Sequence, residues 1–335
     1  MQSFSNAKAP IGGLALTIVL SLAAVPSTTV AAEGLRFMVF GDAPYTGAQI
    51  EVLKNTVAPA IRKAEASFLV HLGDFKGGKE SCTSILIDTR YEQLMDLRPG
   101  RVFYTPGDNE WTDCDRPKLE PRFSELGRLD YLRNLIASRP MKLPASWHYA
   151  TQPNFPENAR WTQGNVMFAT VHIVSTNNGR EEILLDDIEA ALDAVDMRDE
   201  ANRLWLRAAF DAAGESDSGA VVIATQADVT KSAGSAPCSE SLRIRCDAFA
   251  TFREQLLRHA AGFDKPVLLV HGDTNPFCLD KKFGGDTAPK LWRLNALGDY
   301  TGVDATAITV QLDDQEKPFA IKPLMTDASL GSECP

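Results

Sequence analysis

No G-x-G-x-x-G and no Walker-type loop occurs in the 335 residues, so nucleotide binding of those kinds is not indicated. The six cysteines include no C-x-x-C pair, which argues against a zinc cluster. No repeat, low-complexity tract or linker divides the chain. Past the N-terminus, no apolar run reaches the about 20 residues that a membrane span needs. Positive charge is also short: 34 Lys and Arg stand against 44 Asp and Glu, a formal balance of −10. Such acidity disfavours nucleic acid and anionic membrane as partners. It leaves room for a small phosphorylated substrate, because a bound metal inverts the local field.

The first 32 residues read as a secretory signal peptide. Lys8 supplies the n-region, Ile11 to Val25 a short apolar run, and Val30-Ala31-Ala32 a small-residue cleavage site. An uncleaved N-terminal anchor is the alternative. Cleavage removes Lys8 and no acidic residue, taking −10 to −11. The mature chain, 33–335, is then expected to be secreted or periplasmic and to fold as a single domain. Export makes disulfides plausible chemistry for an even number of cysteines. Of the 15 pairings that six cysteines allow, the one expected is Cys82–Cys114, Cys238–Cys246 and Cys278–Cys334. The first would join two neighbouring loops, and the last would pin the C-terminal tail. Oxidised thiols argue against cysteine nucleophile chemistry.

What is present in abundance is one local event. Apolar runs empty into Gly-Asp: LRFMVF into Gly41-Asp42, SFLVHL into Gly73-Asp74, RVFYT into Pro106-Gly107-Asp108-Asn109-Glu110, and PVLLVH into Gly272-Asp273. Two further pairs, Gly285-Asp286 and Gly298-Asp299, are read as capping no such run. Strands are expected at 35–40, 67–72, 101–105, 220–225 and 266–270, alternating with helices near 50–61, 85–97, 123–137, 183–213 and 249–262. This order argues for largely parallel sheets covered by helices. Pro59 is expected to interrupt or kink the first helix, and Gly262 to end the last. Trp161 to Val174 reads as a hairpin and Ala307 to Ile321 as a closing one, so antiparallel pairing enters too. The aromatic loop Trp147–Trp161 is either a wall of the cleft or a packing patch.

A lone Gly-Asp is most often a turn or a helix N-cap. Four of them after four apolar strands point to one shared site at the strand ends. Gathered carboxylates disfavour one another unless a cation neutralises them or their pKa values rise, and aspartate oxygens suit hard divalent ions.

In this order the residues resemble the calcineurin-like metallophosphoesterases, whose pattern is D-x-H, GD, GNH with an acid, a lone His after a strand, and GHxH. Asp42-Ala43-Pro44, Gly73-Asp74, Gly107-Asp108-Asn109-Glu110, Gln226 and Gly272-Asp273-Thr274-Asn275 fall at those places, over roughly residues 35 to 325. The resemblance implies two packed mixed β-sheets flanked by helices, an α/β/β/α sandwich. It also implies two metals about 3.5–4 Å apart with an activated water as nucleophile. Carried over, Asp74 would bridge and Asp42 would hold the first metal. Asp108, Gln226 and Asp273 would hold the second, and Asn275 would replace the last His. Every motif histidine is absent. Pro44 cannot ligate through its side chain, and Asn109 stands where the family protonates the leaving group.

An amide donates a hydrogen bond but gives up no proton at neutral pH. The oxygen-rich set shifts the expected metal from zinc or iron toward manganese, magnesium or calcium. One ion on Asp42, Asp74, Asp108 and Asp273 is the most economical arrangement, with one or two ions expected overall. His71 and His271 precede their aspartates by three and two residues. They read as buried imidazoles bonded to a carboxylate or carbonyl, with an acid–base or ligand role as the sharper alternative. His172 also lies near a strand end, whereas His148 and His259 read as solvated or packing residues. Lys76 either contacts a substrate phosphate, replaces a missing positive charge, or is simply exposed. The implied function is hydrolysis of a phosphate mono- or diester. The alternative is an impaired relative that binds a metal, a phosphorylated ligand or a protein partner.

Overall fold

Strands form where the chain offers alternating or continuous apolar residues, and each parallel strand here is buried on both faces, as helix-covered sheets require. The computed structural model describes residues 1–9, 34–300 and 302–335. The expected signal run and cleavage site lie outside the described residues, as does part of the unit Met1–Glu33. All regular elements described belong to the unit Gly34–Pro335.

In chain order the strands begin with β1 (Leu35–Phe40), β2 (Leu69–His71), β3 (Val102–Tyr104), β4 (Ala150–Gln152), β5 (Phe155–Gln163) and β6 (Val166–Thr170). They continue with β7 (Ala220–Ala224), β8 (Val267–His271), β9 (Cys278–Asp280), β10 (Leu291–Asn295), β11 (Thr306–Val310) and β12 (Phe319–Pro323). They make two mixed sheets, ordered β12-β11-β1-β2-β3 and β4-β5-β6-β7-β8-β10-β9. β1, β2 and β3 run parallel, as do β6, β7, β8 and β10, while the outer pairings are antiparallel.

The helices are α1 (Gly47–Val52), α2 (Ala58–Lys63), α3 (Ser84–Met95), α4 (Glu125–Ser138), α5 (Ser175–Gly179), α6 (Ile188–Glu215) and α7 (Ala250–Phe263). The period-2 geometry of β1 divides its side chains between two cores. Phe37 and Val39 enter the layer between the sheets, and Met38 and Phe40 share a core with residues of α2, α3 and α4. On the far side, Trp205, Leu206, Ala209 and Phe210 of α6 and Phe252 and Leu256 of α7 pack on the second sheet. The four layers are helix, sheet, sheet, helix. Among the described residues no helix is long and apolar enough to cross a membrane.

Several expectations need correction. The first helix is interrupted by a π-turn at Leu53–Val57, with Pro59 in the first turn of α2, where its missing N–H costs nothing. α6 begins at Ile188 because Asp187 caps it, accepting from the Ala190 N–H at 3.0 Å. α7 ends at Asp264, in the left-handed conformation (φ 49°), with Gly262 still inside the helix. The aromatic loop is no cleft wall: Trp147 and Trp161 are buried between the sheets, and Trp161 lies flat on Phe103. All three expected disulfides are present, and no cysteine is free.

Candidate metal centre

Parallel strands of both sheets lead into turns that meet one another. Past β1, β2 and β8 the chain turns sharply, and Asp42, Asp74 and Asp273 take positive φ values of 53°, 59° and 61°. Aspartate tolerates that region better than most residues. The glycine before each aspartate is needed for a second reason: the neighbouring turns touch. A Cβ on Gly272 would collide with the Asp42 carboxylate, and one on Gly107 with the Asp74 carboxylate. The result is that Asp42, Asp74 and Asp273 each bring one carboxylate oxygen within 4.8 Å of the other two.

The surroundings hold these groups in place and leave them short of positive charge. Asn109 donates to Asp74 twice, from its backbone N–H to Oδ1 at 3.1 Å and from Nδ2 to Oδ2 at 2.8 Å. Tyr45 donates its hydroxyl to Asp74 Oδ2 at 3.0 Å. Burial raises the pKa values of Asp42, Asp74 and Asp273 well above the usual range. The charge of Asp299 adds to this at Asp42, and that of Asp108 at Asp74 and Asp273. Glu110, wholly buried, is pushed up to about 7 by the same desolvation. Asp42 Oδ1 and Glu110 Oε2 are buried with no hydrogen-bond partner. An orphaned carboxylate oxygen inside a cluster of like charges is the arrangement a divalent cation satisfies, and the converging donors are all oxygen.

The remaining expected residues fall around this triad with different duties. Asp108 lies beside it, its Oδ1 accepting from Gln226 Nε2 at 3.0 Å and its Oδ2 from Thr176 Oγ1 at 3.2 Å. Gln226, expected as a ligand, is a strut between sheets. Its Nε2 also faces Asp74 at 3.5 Å, while its Oε1 accepts from the Ser175 N–H at 2.8 Å. Asn275, also expected as a ligand, is exposed at the rim and donates to the backbone carbonyl and carboxylate of Asp299 at 3.0 and 3.2 Å. Asn109 spends one amide N–H on Asp74, so it positions that carboxylate, and it has no ionisable proton to give a leaving group.

His71 Nδ1 accepts from the Gly73 N–H at 3.1 Å, and burial holds the ring neutral to about pH 3. His271 Nδ1 contacts the Gly272 carbonyl at 2.8 Å, and burial lowers its pKa to about 4. Both rings close the turns that carry the aspartates, and neither contacts a site carboxylate among the described hydrogen bonds. Lys76, for which exposure was one reading, is fully buried, its Nζ donating to the Gly77 and Glu80 carbonyls at 3.0 Å each.

No family model and no curated protein matches the chain. Among solved structures it is similar to one of PhoD, at 12% identity and a TM-score of 0.48, covering 87% of this chain and 68% of that one. It is also similar to one of GAP50, described as the anchor in the inner membrane complex of Plasmodium. There the identity is 11% and the TM-score 0.39, with 89% and 91% covered.

Four participants were not expected from the sequence. Asp299, set aside with its Gly-Asp pair, follows β10 and donates its backbone N–H to the Asp42 carbonyl at 3.1 Å. The apolar run LWRLNAL before it was the available signal. Tyr45 sits three residues past Asp42 and Glu110 two past Asp108, both inside motifs already singled out. Thr176 had no sequence signal. It occupies α5, where Thr176, Asn177 and Asn178 have φ of 57°, 51° and 58°, a left-handed turn. A β-branched residue there is strained, and its hydroxyl, shared between Asp108 and Thr112, holds it.

Proposed function

We propose that this protein is an exported, divalent-metal-dependent phosphoesterase acting on a small phosphate mono- or diester. The observation that supports it is the triad: three carboxylates from two sheets with one oxygen each within 4.8 Å, one of them orphaned. An oxygen-only set favours magnesium, calcium or manganese over zinc or iron. A cation held by Asp42, Asp74 and Asp273 would supply Lewis-acid polarisation of a phosphoryl oxygen and acidify a water. The chain's own contribution is positioning. Asn109, Tyr45 and Gln226 aim Asp74, the Gly-Asp turns hold Asp42 and Asp273, and Asp108 is braced by Thr176. Export accords with the three disulfides.

A second reading is favoured by one observation. Asn109 stands at the place of a proton donor, cannot release a proton, and already bonds to Asp74. On that reading the site binds a metal and a phosphorylated ligand without turnover. Measuring bound metal and then assaying aryl phosphate mono- and diesters with added Mn²⁺, Mg²⁺ or Ca²⁺ separates the two. Turnover lost in a folded Asp74→Ala variant supports the enzyme. Tight metal binding without hydrolysis supports the binding protein.

A further inference from the structure

Beside the triad the structure presents an aromatic pair of which the chemistry above uses only the Tyr45 hydroxyl. Tyr45 reaches from Asp74 Oδ2, which its hydroxyl touches at 3.0 Å, out to Tyr300, with ring centroids 5.0 Å apart and planes tilted by 57°. Tyr300 is 77% exposed, so most of its surface faces solvent at the mouth of the site. Its position is built rather than incidental. Asp299 and Tyr300 both have positive φ (43° and 69°), costly for a bulky aromatic. The Asp299 N–H to the Asp42 carbonyl ties this turn directly to the triad.

A second observation bears on the same substrate. The position where the family would place its proton donor holds Asn109, an amide that releases no proton, and His71 and His271 spend their Nδ1 atoms on backbone. Without a histidine acid at that place, a phenolate departs far more readily than an alkoxide, given a phenol pKa near 10.

We infer that the substrate is an aryl phosphoester, its ring stacked on Tyr300 and Tyr45 and its phosphoryl group over Asp42, Asp74 and Asp273. This rests on the phosphoesterase reading. In the step, a water oxygen bonds to phosphorus as the P–O bond to the aryl group breaks. The aryl oxygen leaves with the bonding pair, and the proton lost by water passes to solvent.

Calorimetric titration of the full chain with Mn²⁺ tests the recognition, using phenylphosphonate and methylphosphonate, whose P–C bonds cannot be hydrolysed. The phenyl compound is expected to bind about tenfold more tightly, the size of one aromatic contact. Tyr300→Ala is expected to remove that preference and Tyr300→Phe to keep it. Equal binding of the two phosphonates, or a preference that survives in Tyr300→Ala, overturns the inference while leaving the phosphoesterase reading standing. If neither phosphonate binds the Mn²⁺-loaded chain, both fall together.

Discussion

Neutralising Asp42 as Asn should make the metal-free protein more stable and the metal-loaded protein less so. With one oxygen of each triad member within 4.8 Å of the others, every ionised pair repels by about 3 kcal/mol at an effective dielectric near 20. The escape is to bind a proton at neutral pH, which costs an ordinary aspartate about 4 kcal/mol; burial first, and neighbouring carboxylates after it, raise the pKa values of all three groups. Asp42→Asn deletes two of the three repulsions. Asn also accepts the positive φ of the position and leaves the backbone bond from Asp42 N–H to the Gly73 carbonyl intact.

The metal-free variant should therefore gain about 2–4 kcal/mol, or roughly 4–8 °C in melting temperature for a chain of this size. Wild type in a cation at a hundredfold excess over its Kd gains about 2.7 kcal/mol, and the variant much less, so the order of the two reverses. Thermal melts followed by circular dichroism at pH 7, in EDTA and in Mn²⁺, read both effects. An Asp42→Asn variant that melts below wild type in EDTA refutes the electrostatic argument. A wild type indifferent to Mn²⁺, Mg²⁺ and Ca²⁺ alike refutes the shared site.

Gly272→Ala should abolish the Mn²⁺-induced shift in melting temperature, because the new methyl group occupies the place of the Asp42 carboxylate; an undiminished shift would show that the turns do not touch. Acid should weaken the fold through His172, whose pKa burial lowers to about 4 despite the Glu157 carboxylate 3.1 Å away. The unfolded chain protonates this imidazole below about 6.5 while the folded one does not. Stability is therefore complete above that pH and falls by about 3 kcal/mol on the way to pH 4. Urea titrations across this window should show a pH slope smaller by about one proton in His172→Gln, and an unchanged slope would be the contrary result. Replacing Cys82 and Cys114 by Ser frees a 32-residue loop, which should lower the urea-derived stability by about 4 kcal/mol; a loss under 1 kcal/mol would mean the loops are held by packing instead.

The parts of the fold that were legible are those where one signal dominated. LRFMVF and PVLLVH are apolar but for Arg36 near the start of one and His271 at the end of the other, as a strand buried on both faces has to be over most of its length. β10 escaped because its centre carries Arg293, which is tolerable inside because Asp228, 65 residues away, accepts from it at 2.8 Å, with Thr230 and the Cys334 carbonyl as further partners. β9 escaped because three residues make no period. Losing β10 meant losing Asp299, since a Gly-Asp pair is informative only once its strand is recognised. Within the site, the aspartates could be read because turn chemistry is local. The duties of Asn109, Gln226 and Asn275 could not, because an amide ligates or donates according to what lies opposite, and what lies opposite is 24 to 118 residues away in the chain. Thr176 depends on a left-handed turn that no residue type in Ser175–Gly179 demands outright.

The three triad aspartates sit at backbone angles that Asn and Gly also adopt with ease. Each carboxylate can therefore be exchanged for a neutral residue without asking the chain to bend differently, and in the absence of metal the exchange relieves repulsion. One such substitution would leave an intact, more robust metal-free protein with one charge fewer at the strand ends. Folding alone gives the chain no reason to gather three carboxylates at these strand ends, and their cost to the metal-free fold is what a bound cation would offset.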